Sequence, residues 1–205
     1  MIAILDYGMG NLRSVEKALA HVGVESVRTA DHERVRQCDA VVLPGVGAFR
    51  RAMEAVNEHG LDELVRERVD AGVPVIGLCL GMQLLFEHST ELGGSSGIRV
   101  LEGEVRPLVT GGLKVPQIGW NPVAWRGHSP LTEGLPEPTP MYHVHSFAAI
   151  PAHADDVLGT AHYGTEFVSA VSRGNVYGVQ FHPEKSGTHG LQLLRNFARV
   201  KVAVR

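Results

Sequence analysis

The feature that most limits what this chain can fold into is the stretch Val73-Pro74-Val75-Ile76-Gly77-Leu78-Cys79-Leu80-Gly81-Met82-Gln83-Leu84-Leu85-Phe86. A short, β-rich apolar run ends at Gly77, and a helix-forming run starts directly after Cys79. The chain must therefore turn from strand to helix about one residue. A residue at so sharp a turn sits in a strained backbone conformation, and side chains two positions to either side of it would collide. Glycine at Gly77 and Gly81 removes that collision. The layout is that of a nucleophile elbow with a thiol in place of the hydroxyl. The first free N–H groups of the following helix favour an anion at such a position. Alone, Cys79 admits two readings: an activated nucleophile, or a small buried apolar side chain, as most free cysteines are.

The chain on either side of the elbow sets the fold class. Ile2–Tyr7 is β-branched and apolar and is closed by the turn cluster Gly8-Met9-Gly10-Asn11. Leu12, Val15, Ala18, Leu19 and Val22 follow at the spacing of one helix face. Val24–Val27 reads as a second strand, Asp31 as the cap of a short helix through Gln37, and Ala40–Leu43 as a third strand stopped by Pro44-Gly45-Val46-Gly47. Helical patterns cover Ala48–Asn57 and Leu61–Ala71. Short, continuously apolar strands alternating with helices predict an α/β fold, a doubly wound, mostly parallel sheet flanked by helices. Loops that carry chemistry gather at the carboxyl ends of such strands, which places Gly8–Asn11, Pro44–Gly47 and Cys79 on one edge.

After residue 88 the texture changes. Short strand-like pieces follow at Arg99–Val105, Leu113–Gly119, Pro140–Phe147, Asp156–Tyr163, Phe167–Val171 and Val176–Phe181, punctuated by turn residues. They predict an added antiparallel layer in the C-terminal half, continuing one domain over residues 1–205. A last helix spans Leu191–Val200.

Composition excludes several classes of function. A net charge of −3 with scattered Lys and Arg carries no footprint for nucleic acid. The longest apolar run is too short for a membrane span of about 20 residues. Two cysteines with unlike neighbourhoods form no disulfide framework, and Met1–Asp6 reads as a first strand rather than a leader, so a cytoplasmic protein is expected.

A cysteine nucleophile needs a base and a group to orient that base. Gly178-Val179-Gln180-Phe181-His182-Pro183-Glu184-Lys185-Ser186 supplies both. Pro183 keeps His182 extended, and in an extended chain residues i and i+2 share a side, so Glu184 can fix the His182 tautomer. A lone histidine at a strand end is also a common solvated or capping residue; the elbow cysteine upstream favours the base. Pro44-Gly45-Val46-Gly47 reads either as a plain strand-to-helix turn or as a loop presenting N–H groups to an oxyanion, together with the N–H of Leu80. Gln83, one helical turn past Cys79, faces the same side. His143 and His145 alternate on one strand face without further ligands at a compatible spacing, so no metal is expected.

Taken together, Gly77-Leu78-Cys79-Leu80-Gly81, Pro44–Gly47 and His182-Pro183-Glu184 resemble the class I, triad-type glutamine amidotransferases. Asp6–Asn11, Pro44–Phe49, Lys114–Asn121, Tyr142–Phe147 and His182–Ser186 are similar to the glutaminase subunits of the imidazole glycerol phosphate synthase family, and the likeness runs over residues 6–186. Gln117 departs mildly, since His is as common there. The resemblance implies glutamine as substrate and a triad of Cys79, His182 and Glu184. It implies an oxyanion hole from Gly45, Val46, Gly47 and Leu80, and substrate contacts from Gly47, Gln83, Ser146 and Phe147. No cofactor is implied. Ammonia would pass to a separate (β/α)8-barrel cyclase subunit. Asn11, Gln117, Trp120, Tyr142 and Lys185, motif residues the triad does not need, are expected on that interface. Three other readings stay open: a stand-alone cysteine hydrolase, a glutaminase serving pyridoxal phosphate synthesis, and an inactive module that only binds the cyclase.

Overall fold

Four consecutive apolar residues, Ile2–Leu5, form β1, and each is buried because this strand lies inside a sheet covered on both faces. The computed structural model describes residues 1–200. After β1 come α1 (Leu12–His21), β2 (Ser26–Thr29), α2 (His32–Arg36), β3 (Ala40–Gly45), α3 (Phe49–Glu58), α4 (Leu61–Asp70), β4 (Val75–Cys79) and α5 (Leu80–Leu84). The second half adds β5 (His88–Ser89), β6 (Ser95–Ser96), β7 (Gly103–Pro107), β8 (Gln117–Trp125), β9 (Thr139–His145), β10 (Phe147–Pro151), β11 (Val157–Tyr163), β12 (Thr165–Arg173), β13 (Val176–Val179) and α6 (Gly187–Phe197).

Nine strands form one sheet in the order β2-β1-β3-β4-β13-β12-β11-β8-β9. The first five are parallel, as the continuous apolar runs predict. From β12 outward the pairing is antiparallel, so those strands extend the same sheet. A second, four-stranded sheet of order β10-β7-β5-β6 holds the remaining strands. Period-2 alternation divides the core. Ile2, Ile4 and Val42 pack with Val15, Leu19, Leu193, Leu194 and Phe197 of α1 and α6. Ala3, Leu5, Val41 and Leu43 turn to the other face, against Phe49, Val56, Leu61 and Leu64 of α3 and α4. Each such buried Val, Leu, Ile or Phe side chain contributes about 1.5–3 kcal/mol. Among the described residues no helix is long and apolar enough to cross a membrane.

Several boundaries differ from the sequence pattern, each for a local reason. The expected strand at Leu113–Gly119 starts only at Gln117, because Thr110 closes a turn on Leu113 through both its carbonyl and its hydroxyl. Arg99, Val100 and Leu101 bond back to Phe86 and Leu85, so β7 begins at Gly103. The expected strand Pro140–Phe147 divides at Ser146, with β9 in the main sheet and β10 in the small one.

At the elbow, backbone meets backbone. A Cβ on Gly81 would stand 1.8 Å from the Leu43 carbonyl oxygen, and one on Gly77 would stand 2.5 Å from Gly81 O and Met82 N. These neighbours are main chain and cannot rotate away. Gly81→Ala is therefore expected to lower stability by at least about 3 kcal/mol, beyond ordinary overpacking. In thermal unfolding this is a fall in Tm of roughly 6–12 °C for a chain of this size.

Candidate active site

Cys79 closes β4 with φ 54° and ψ −113°, a region non-glycine residues seldom enter, at a cost of order 1–3 kcal/mol. The neighbours β3 and β13, paired in register on either side of β4, hold it there. The helix that follows has only five residues, so what it brings to the thiol is its first N–H groups rather than a long dipole. Cys79 is 6% exposed and opens on a cavity of about 290 Å³. Val46, Gly47, Leu80 and Gln83 line one part of that cavity, and Ser146, Phe147, His182 and Lys185 another.

His182 follows β13, beside β4, which is how distant sequence reaches the elbow. Its Nδ1 lies 2.9 Å from Glu184 Oε1, and both side chains are almost fully buried. Ser186 braces the segment: its hydroxyl donates to the His182 carbonyl at 2.7 Å and accepts from the Tyr142 N–H at 3.0 Å. The Pro44–Gly47 loop is anchored at its start by buried Tyr7, whose hydroxyl donates to the Pro44 carbonyl at 2.5 Å. Gly47 has φ +97°, and the Met9 methyl lies 3.2 Å from where its Cβ would be.

The family model "Glutamine amidotransferase class-I" matches residues 3–200. The chain is 48% identical to the Bacillus cereus (strain G9842) "Imidazole glycerol phosphate synthase subunit HisH", over 98% of this chain and 95% of that one. It is 47% identical to the Moorella thermoacetica protein of the same name, covering 97% and 94%. The chain belongs to the class I glutamine amidotransferases, among the HisH subunits. Two solved structures share its fold at low identity. One, a glutamine amidotransferase, has TM-score 0.73 at 22% identity over 96% of each chain. The other, PurLQS from Thermotoga maritima, has TM-score 0.76 at 18% identity over 96% of each.

In this amidotransferase, burial pulls the His182 pKa down, but the Cys79 thiolate and the Glu184 carboxylate outweigh it and push it up to about 9. Burial likewise raises Glu184, and the hydrogen bond from His182, helped by one from Asn11, reverses the sign, leaving it below its ordinary value. Asn11 Nδ2 donates to Glu184 Oε1 at 3.1 Å. The Asn11 side chain caps nothing on α1, although it stands at the N-cap, because it is turned to the carboxylate. This corrects the expectation that Asn11 is a motif residue the triad does not need.

Gln117 needs a second correction. It is 1% exposed and turned inward from β8, across from His145, so it offers no surface in this conformation. The strand's parity decides this: Ile118 and Trp120, of opposite parity, are 63% and 55% exposed. Trp120 packs edge-on against Tyr142, and Lys185 is exposed at the cavity. Both ring nitrogens of His143 are engaged, with Ser169 and the Met141 carbonyl, and burial holds its pKa at about 3.

Two residues near the thiol stand outside the sequence-predicted site. Glu91 lines it while accepting the Phe49 N–H at 2.7 Å. Gln180, fully buried, places its amide nitrogen 3.8 Å from Cys79 Sγ. The available signal for Gln180 was a polar residue in an apolar strand, two positions before His182.

Because His182 is raised in the folded state, its stabilising contribution is complete below pH 6.5 and is lost as pH rises toward about 9. In NMR titrations the His182 ring is expected to titrate near 9, and Cys79→Ala to bring that midpoint well down. Tyr7→Phe leaves the Pro44 carbonyl without its partner and is expected to cost about 1–3 kcal/mol in urea unfolding.

Proposed function

We infer that this chain is the glutaminase subunit of an imidazole glycerol phosphate synthase, and that Cys79, His182 and Glu184 are its triad. The observation that carries the reading is the shared wall of one cavity: a thiol in elbow geometry beside an imidazole whose other nitrogen is held 2.9 Å from a buried carboxylate.

Cys79 thiolate attacks the side-chain amide carbon of glutamine. The developing oxyanion accepts from the Leu80 N–H and from the Gly45–Gly47 loop, where donors of this kind contribute about 2.7–4 kcal/mol each. His182, charged by its pairing with Cys79, protonates the departing nitrogen, and ammonia leaves. His182 then takes a proton from water, which attacks the γ-glutamyl thioester carbon; the C–S bond breaks and glutamate is released. Glu184 keeps the His182 ring in one tautomer and orientation throughout.

The amino-acid end of glutamine is gripped by Gln83, Gly47 and the backbone of Ser146 and Phe147. Both hydrogens of the Gln83 amide are committed, to Phe147 O at 3.0 Å and Gln180 Oε1 at 2.9 Å. Gln83 therefore offers substrate its oxygen, and with the Glu91 carboxylate this suits the α-ammonium group.

Ammonia released into water is protonated and ceases to be a nucleophile. A sealed junction with a (β/α)8-barrel cyclase avoids that loss, in a cytoplasmic heterodimer. Trp120, Tyr142 and Lys185 are proposed at the junction. They back directly onto the triad: the His182 N–H donates to Tyr142 O at 2.9 Å, and the Trp120 ring reaches Gly187. Docking there acts on the segment that holds the base, and Val46–Gly47, just past the end of β3, turns to complete the oxyanion hole.

Glutamate release, measured with and without the cognate cyclase and its ribonucleotide, tests the reading. Release should rise at least tenfold with both present and vanish in Cys79→Ala. Equal turnover with and without the cyclase would discard the coupling. Trp120→Ala and Lys185→Ala should weaken the complex by about tenfold or more each, read by calorimetry.

A further inference from the structure

The hydrogen bonds around the elbow sulfur have a direction that the triad alone does not explain. Gln83 Nε2 lies 3.0 Å from the Phe147 carbonyl oxygen, an acceptor that cannot change role, so this end of Gln83 is the nitrogen. The same nitrogen lies 2.9 Å from the Gln180 side chain, so the atom it meets there must be oxygen. The Gln180 nitrogen is thereby turned away, and it faces Cys79 Sγ at 3.8 Å. The orientation of a fully buried amide is thus set from a backbone carbonyl, through a second amide, at the nucleophile.

Gln180 shares its side of the extended chain with His182, two residues on, while Val179 and Phe181 turn into the core. The strand beside the elbow presents two donors to one sulfur. His182 exchanges its proton during the reaction; the Gln180 amide neither gains nor loses one over the working pH range.

Resting on the triad reading, we propose that Gln180 is a further catalytic residue that donates a side-chain N–H to Cys79 Sγ whenever that sulfur carries charge. Two steps use this. Before attack, the donor favours the thiolate over the thiol, whose S–H otherwise points to the Val144 carbonyl at 3.7 Å. In thioester hydrolysis, water adds to the acyl carbon, the C–S bond breaks, and the electron pair goes to Sγ, where the same N–H receives it. Gln83 acts on Sγ through Gln180 and is a positioning residue for it.

The test uses the full chain with Gln180→Met, which keeps the volume and removes the donor, and Gln180→Glu, which keeps an acceptor for Gln83 but offers no amide N–H to sulfur. Iodoacetamide labelling of Cys79, followed by peptide mass spectrometry, is expected to slow about tenfold at pH 7 in both variants. With cognate cyclase and ribonucleotide, kcat for glutamine should fall at least tenfold with little change in KM, and the γ-glutamyl thioester should accumulate in rapid-quench samples. Folded variants with wild-type labelling at pH 7 would overturn the proposal. Should neither variant fold, the wild-type chain decides it: the Gln180 side-chain amide proton resonance must move when Cys79 is alkylated, and a stationary resonance rejects the contact. A wild-type chain that releases no glutamate even with its cyclase rejects the triad reading instead, whatever the labelling shows.

Discussion

Leu43 and Gly81 approach so closely that no side chain fits between the end of one strand and the turn of the next. Everything at the site depends on that approach. It brings the segment that ends β3 against the elbow that ends β4, so that residues from two elements line one cavity. Parallel strands make the juxtaposition possible, because their carboxyl ends share an edge. The strained Cys79 backbone is the cost of projecting a thiol from that edge, and the two paired neighbours of β4 hold it.

The site is less a triad with accessories than a small network with two ends. At one end Asn11, Glu184 and His182 form a charged line leading to the sulfur. At the other, Phe147, Gln83 and Gln180 form a neutral line leading to the same atom. In a low-dielectric interior each member of a line leans on the next, so losing any one leaves a buried polar neighbour without that partner.

What was legible in the sequence was what local rules determine. Continuous apolar runs announced buried parallel strands, the glycines flanking Cys79 announced the elbow, and the spacing of His182 and Glu184 put them on one side. What was not legible depends on which strands become neighbours. Gln180 meets Cys79 because β13 inserts beside β4, and Tyr7 meets Pro44 because β1 lies beside β3. Neither adjacency has a local signature. The partner of Asn11 is far along the chain, and Gln117 is turned inward by the parity of β8, which its motif does not reveal. Ser146 marks a break between sheets that an unbroken alternating run conceals.

That break has a mechanical meaning. From Tyr142, whose ring lies on the exposed Trp120 face, the backbone runs through Val144, which faces the sulfur, to Ser146 and Phe147 at the cavity. No loop intervenes, and hydrogen bonds hold the ribbon on both sides of Ser146. The ribbon bends at Ser146, and each of its two arms is held by a paired strand. Any relative movement of the two sheets along this path falls on the one residue where the ribbon leaves the larger sheet for the smaller.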